Sequence, residues 1–254
     1  MTTLLYDGSF EGLFTAIFEV FEYRFEPAEI MSEHLQSNCI LFSEFHQVVT
    51  DREKAERVLR KLEIPLGKGG ISQLLKVYLS EDTDAERLIL EAVRQSVRLP
   101  RENVLENYAD PAMMQIAKIT KSVAREVHRM HAFVRFEKLQ DEVYFAKIEP
   151  DFNVLPLIIR HFRNRYRDQK WMIYDLKRGY GSFYDLEEVQ MFEPAPEQTA
   201  QLKRTPHLLH EEEKHYQKLW QRYFYKTNIP ERKNLKLHVQ SLPKRYWKYL
   251  TEKL

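Results

Sequence analysis

The chain has 254 residues, 43% of them hydrophobic and 30% charged, with 7 glycines and one cysteine, Cys39. That length buries a core without staples. The composition excludes disordered and collagen-like chains, and one cysteine excludes an internal disulfide and Cys-rich metal sites. The formal charge of +1 conceals an asymmetry. Residues 1–120 hold 13 Lys or Arg and 20 Asp or Glu, a net −7, whereas residues 121–254 hold 26 and 18, a net +8. A basic half is a recognised hint of an anionic partner.

A reducing compartment suits a chain with a lone cysteine, so a cytoplasmic location is expected. The longest charge-free run, His34 to Ser43, is about half of a bilayer span. Met1 to Asp7 has neither a basic start nor an apolar stretch of signal-peptide length. No membrane partner is expected.

Thr3 to Tyr6 is a short apolar segment ending at the turn Asp7-Gly8-Ser9. Ser9 or Asp7 then caps a helix from Phe10 to Tyr23, with Phe10, Leu13, Phe14, Ile17, Phe18 and Phe21 at helical spacing. The stripe Phe10, Phe14, Phe18, Phe21 reads as core. Asn38 to Thr50 reads as a strand or hairpin. Asp51 starts a charged helix, Pro65 to Gly70 reads as a loop, and helices follow at 71–79 and 84–97. Pro111 opens a long helix through Met130.

From there the pattern changes to period two. Residues 132–136 and 143–148 read as a hairpin, Asn153 or Asp151 caps a helix from Val154 to Tyr166, and 170–174 is another strand. Gly179 to Gly181 is a turn before a mixed segment, 182–192. Residues 210–225 form an amphipathic helix. A last helical pair covers 232–240 and 243–249. The expectation is an α+β fold, mostly helical, with a small antiparallel sheet around 131–192 flanked by N- and C-terminal helices. One compact domain, 1–254, is expected, with a possible division into an acidic helical part, 1–120, and a basic α+β part, 121–254.

The strongest chemical signal is basic. Arg160, His161, Arg163, Arg165 and Arg167 crowd one stretch with Phe162 and Tyr166, and Lys244-Arg245-Tyr246-Trp247 repeats the theme. Guanidinium groups pair with phosphates and aromatic faces stack on exposed bases. The plainer reading is a solvated helix end. Arg125, His128 and Arg129 share a helix face. His131 and Arg135 share a face of the expected strand, so the five outline an anion pocket with a titratable group. Histidines bonding at a helix end account for the same residues.

Strand-end carboxylates Asp7, Glu149, Asp151 and Asp175 suit acid–base work, and Asp7 and Asp151 equally suit capping. His128/His131, His207/His210 and the 210–215 cluster lack the His-Glu-x-x-His pattern. Glu211–Glu213 suit a helix start. No metal and no cofactor is expected. Gly67–Gly70 lacks phosphate-loop spacing, and Ser9 lacks a nucleophile elbow.

Five stretches together resemble a bacterial family described as "probable DNA metabolism protein", a domain of unknown function. They are Tyr6 to Leu13, His128 to Phe136, Glu149 to Leu155 with Phe162 and Arg165, Trp171 to Asp175, and Leu242 to Trp247. The resemblance implies bacterial proteins found beside a radical-SAM protein assigned to DNA modification or repair. It also implies relatives fused to uracil-DNA-glycosylase-like domains. It carries no catalytic residue.

Three functions follow as expectations. The first is a DNA-binding accessory in repair or modification, partnered by DNA of either strandedness and by the radical-SAM protein. Its candidate contacts are Arg125, Arg129, Arg135, Arg160, Arg163, Arg165, Arg167, Lys244, Arg245, Tyr246 and Trp247. The second is an enzyme on a nucleotide or damaged base, with candidates Asp7, His128, His131, Glu149 and Asp175. The third is a protein–protein adaptor whose acidic half is a docking face.

Overall fold

The computed structural model describes residues 2–33, 44–195, 209–227 and 234–253. The sequence expectations that fall on Cys39, His207 and the remaining gaps lie outside those residues. The chain divides into two compact units, Met1–Ala124 and Arg125–Leu254.

In the first unit, β1 (Thr2–Tyr6) leads into α1 (Phe10–Glu22), then β2 (Ala28–Ser32) and β3 (Glu44–Gln47). Ser9 caps α1, its hydroxyl oxygen accepting from the Gly12 amide at 2.9 Å. The strands order β2-β1-β3 and all pair in parallel, with Leu4 opposite both Ile30 and His46. A helix between two strands returns the chain to the starting edge, which makes parallel pairing natural. Leu4, Tyr6, Leu13, Phe14 and Ile17 are buried, whereas Phe21, expected in the core, is exposed.

Asp51 accepts from the Glu53 and Lys54 amides and starts α2 (Arg52–Tyr78). The loop expected at 65–70 is absent. Helix runs through it, interrupted only at Gly67, whose φ of 64° lies in the left-handed region. That region costs glycine little, so the kink needs one residue and no loop. α3 (Ala85–Arg98) follows. Asp110 then caps α4 (Pro111–Phe133) by accepting from the Ala112 and Met113 amides. Leu74, Leu88, Ile89, Met113 and Ile116 complete this core. Each such side chain contributes roughly 1.5–3 kcal/mol.

In the second unit, the strand expected at 132–136 is instead the end of α4 and its exit. The Val134 amide still bonds to the Met130 carbonyl, and Arg135 folds back to donate to Ala132 O at 2.9 Å and Val134 O at 3.3 Å. Those contacts satisfy carbonyls a helix end leaves unpaired, and they override the alternating pattern. The first strand shrinks to β4 (Glu137–Lys138).

β5 (Tyr144–Ile148), α5 (Leu155–Arg165), β6 (Trp171–Asp175), β7 (Tyr180–Tyr184) and β8 (Val189–Phe192) complete a sheet in the order β4-β5-β6-β7-β8. The sheet is mixed, not purely antiparallel: β5 and β6 run parallel, with Tyr144 opposite Trp171. The α5 crossover imposes this direction. The expected turn at 179–181 is largely strand, since Tyr180 and Gly181 belong to β7. α6 (Glu213–Thr227), α7 (Leu235–Ser241) and 3-10 segments at Lys244–Tyr249 and Thr251–Lys253 follow. With helices dominating and two small sheets, the fold is α+β.

Candidate nucleic-acid interface

The second unit gathers aromatic rings around α5 and β6. Phe136 meets Phe162, Tyr166 and Trp171 edge-on at 5.5, 5.4 and 6.4 Å. Trp171 is fully buried and leans on Tyr184. Edge-to-face pairs of this kind add modestly to area burial and fix ring orientation.

Beside this cluster opens a cleft of about 670 Å³. Its aromatic lining is Phe136, Tyr144, Tyr166, Trp171, Tyr216 and Trp220, and its cationic lining is Arg135, Lys138 and Arg165. Glu213 and Gln217 supply polar groups from α6, and Glu212 from the turn before it. Residues 213, 217 and 220 recur at helical spacing, which puts them on one face.

One carboxylate ties two lining groups together. Glu252 accepts from Arg135 Nη2 at 2.8 Å and from the Trp220 indole N–H at 2.9 Å. The Arg135 guanidinium also lies 5.8 Å from the Trp220 ring centre. Burial pushes the Glu252 carboxyl up, but the two donors outweigh it and hold it below the usual range.

A polar network continues along β4 and β5. Gln217 Nε2 donates to Glu137 at 3.2 Å and Glu213 at 3.1 Å, and Glu213 accepts from the Lys138 amide at 3.0 Å. Burial pushes the Glu137 carboxyl up, against the opposing pull of Lys147, and Glu213 adds to the rise. Burial pushes the Lys147 amine down. Both groups move toward their neutral forms.

The structure separates the sequence candidates. Arg135 and Arg165 line the cleft. Arg165 also donates to the Tyr166 hydroxyl at 3.3 Å. Arg125, Arg160, Arg163 and Arg167 are exposed, and Arg163 donates to the Glu187 carbonyl at 3.0 Å.

The C-terminal cluster is held by internal partners. Glu126, 1% exposed, accepts from Arg245, Arg129, the Asp151 amide and the Tyr246 hydroxyl. Arg245 also pairs with Asp151 at 2.6 Å. Tyr246 is 3% exposed, and Trp247 donates to the Leu242 carbonyl. Lys244 is exposed. Desolvation pushes the Glu126 carboxyl up, and the donors from Tyr246, Asp151 and Arg245 more than reverse it.

His131 lies in the last turn of α4, not on a strand, so it shares no sheet face with Arg135. Its ring stacks on His161, and His128 is exposed.

The carboxylate candidates are engaged by partners within their own units. Asp175 is fully buried, bonded to the Lys177 and Arg178 amides and paired with the Arg178 guanidinium at 2.9 Å. Glu149 pairs with Lys248 and accepts from the Tyr249 hydroxyl at 2.6 Å. Asp7, in the first unit, accepts from the Ser9 amide, the Ser9 hydroxyl and the Thr50 hydroxyl. Burial pushes its carboxyl up, but those bonds outweigh it. Asn153 does not cap α5, because its side chain accepts from Tyr180 instead.

Tyr216, Gln217 and Trp220 escaped sequence reasoning as site residues, as did Glu137 and Lys147. The available signal was Tyr216, Trp220 and Tyr223 at helical spacing on an otherwise polar helix. Among the described residues no group of three or more His, Cys, Asp or Glu side chains is placed to hold a metal. No described helix is long and apolar enough to cross a membrane.

An α+β unit with an aromatic, cation-lined cleft is thus the class of site present. Residues 83–252 match the domain of unknown function DUF4130, and the chain belongs to that family. The matched span runs from just before α3 to the C-terminal 3-10 segments and leaves out β1 to β3, α1 and α2. No curated protein matches the chain.

Proposed function

We propose that the Arg125–Leu254 unit binds nucleic acid through its aromatic cleft, and that the protein is a DNA-binding accessory in DNA repair or modification. The cleft carries this reading. Tyr216 and Trp220, exposed on the cleft wall, and the exposed Arg165 beside Tyr166 combine in one concavity the two elements that hold bases and phosphates. The net +8 of residues 121–254 supports it. The setting in DNA metabolism, the cytoplasmic location and the radical-SAM partner rest on the resemblance described above and on cysteine usage.

Fluorescence anisotropy with labelled single-stranded and duplex DNA, between about 50 and 200 mM salt, tests the reading. Binding that weakens steeply with salt is expected. Absent binding, or binding indifferent to salt, overturns it.

A second reading, an enzyme acting on a nucleotide or damaged base, draws on one observation. Glu137 bonds to the cleft-lining Gln217 at 3.2 Å and shares a second, smaller cavity with Lys147, where burial pushes both groups toward their neutral forms. Loss of turnover in Glu137→Gln with an unchanged melting temperature supports this reading, and full turnover removes it.

A further inference from the structure

Resting on the nucleic-acid reading, we propose that the cleft takes one unpaired base with an amine at the edge where adenine carries N6 and cytosine N4, and discriminates against thymine, which carries a carbonyl there.

The inference starts from Gln217. A primary amide has two N–H donors on nitrogen and an acceptor oxygen. Gln217 Nε2 faces two carboxyl groups, Glu137 at 3.2 Å and Glu213 at 3.1 Å. This orientation gives each carboxyl group a donor from the one nitrogen. The carbonyl oxygen remains as an acceptor on a residue that lines the cleft. Glu212, in the turn just before α6 and 3.9 Å from His210 Nδ1, adds to the cleft lining a carboxylate whose side chain is 63% exposed. Lys138 is drawn away from this role by its pairing with Glu142 at 2.6 Å. The polar wall from α6 therefore presents acceptors.

The complement of acceptors is an N–H group on a flat ring. Adenine carries N6–H₂ and cytosine N4–H₂, whereas thymine carries the O4 carbonyl at the corresponding edge. A carbonyl facing the Gln217 oxygen and the Glu212 carboxylate is repelled.

The aromatic residues decide the state of the base. Tyr216 and Trp220 are half exposed on α6, and Trp220 is held by its bond to Glu252. A stacking surface accepts a base face. A base paired in a duplex is already stacked on its neighbours and uses its amine on the opposite strand. Only an unpaired base offers both. Arg165, exposed at the cleft, is placed for the adjoining phosphate.

The test compares dC, dT and dA oligomers of one length by anisotropy at one low salt concentration. The dC–dT pair keeps the ring size alike. Binding about tenfold tighter for dC than for dT is expected, with dA on the dC side. In Gln217→Leu the dC advantage should collapse, with dC affinity falling and dT affinity rising as the repelling oxygen is lost. Glu212→Gln, at an exposed position, should narrow the ratio in a protein whose fold is undisturbed. Equal affinity for all three oligomers in the wild type overturns the inference and leaves nucleic-acid binding standing. Binding of none overturns both.

Discussion

The hydroxyl of Tyr246 donates to the carboxylate of Glu126, tying the C-terminal 3-10 segment to α4 within the second unit. Arg245, next in chain, pairs with the same carboxylate. A buried charge needs such partners, because losing one exposes its desolvation penalty. Tyr246→Phe should therefore lower stability by roughly 1–3 kcal/mol, read by thermal or urea denaturation. Arg165→Ala, at an exposed position, should leave the melting temperature in place and weaken DNA binding. A Tyr246→Phe variant as stable as wild type, with impaired DNA binding, would reverse these roles.

Trp220 bears on binding more than on folding. It is 40% exposed, and Glu252 keeps Arg135 when the indole is gone. Trp220→Ala should cost about 1–3 kcal/mol of single-strand affinity. Parallel anisotropy and melting curves check this. An affinity loss matched by general unfolding would make Trp220 structural.

The His131 and His161 rings stack 4.0 Å apart and 16° from parallel. Burial lowers the His131 pKa, and the nearby His161 and His128 lower it further. Burial lowers the His161 pKa too, with help from Arg165. Both folded pKa values thus lie below an unfolded value of about 6.5. The unfolded chain then binds more protons than the native one in that window, so stability falls as pH falls. Stability from this pair should be complete above about pH 6.5 and lost progressively below it. His161→Gln should flatten the acid side of a melting-temperature profile. An unchanged profile would show that the pair does not govern acid sensitivity.

Gly12 sits where a side chain does not fit. A Cβ there would overlap Asp7 Oδ1 and meet Thr50 Oγ1 at 2.8 Å and Ser9 Oγ at 3.0 Å. Asp7 cannot retreat without releasing Ser9 and Thr50. Gly12→Ala should destabilise the first unit by about 1–3 kcal/mol, outweighing the usual helix gain of roughly 0.5–1 kcal/mol. Denaturation of the variant decides the sign.

Where a structural signal was local, it was legible. Ser9, Asp51 and Pro111 announced their helices, and the alternation of 143–148 announced β5. Where two local signals competed, the sequence misled. The alternating 132–136 segment became the end of α4 and its exit because Arg135 could close the helix end. Parallel pairing of β5 with β6 depends on a crossover and has no local signature. The cleft is assembled from residues near 136, 166 and 216, which only the fold brings together. Tyr246 shows the limit most plainly: an aromatic between basic residues suits stacking or core, and burial against Glu126 decides.

The most direct measurement is photocrosslinking of a single-stranded oligonucleotide carrying 8-azidoadenine, followed by peptide mapping. Adducts on Tyr216, Trp220 or Tyr166 are the expected result, reduced in Trp220→Ala. Adducts confined to other surfaces, with none on the cleft residues, would contradict nucleic-acid binding by the cleft.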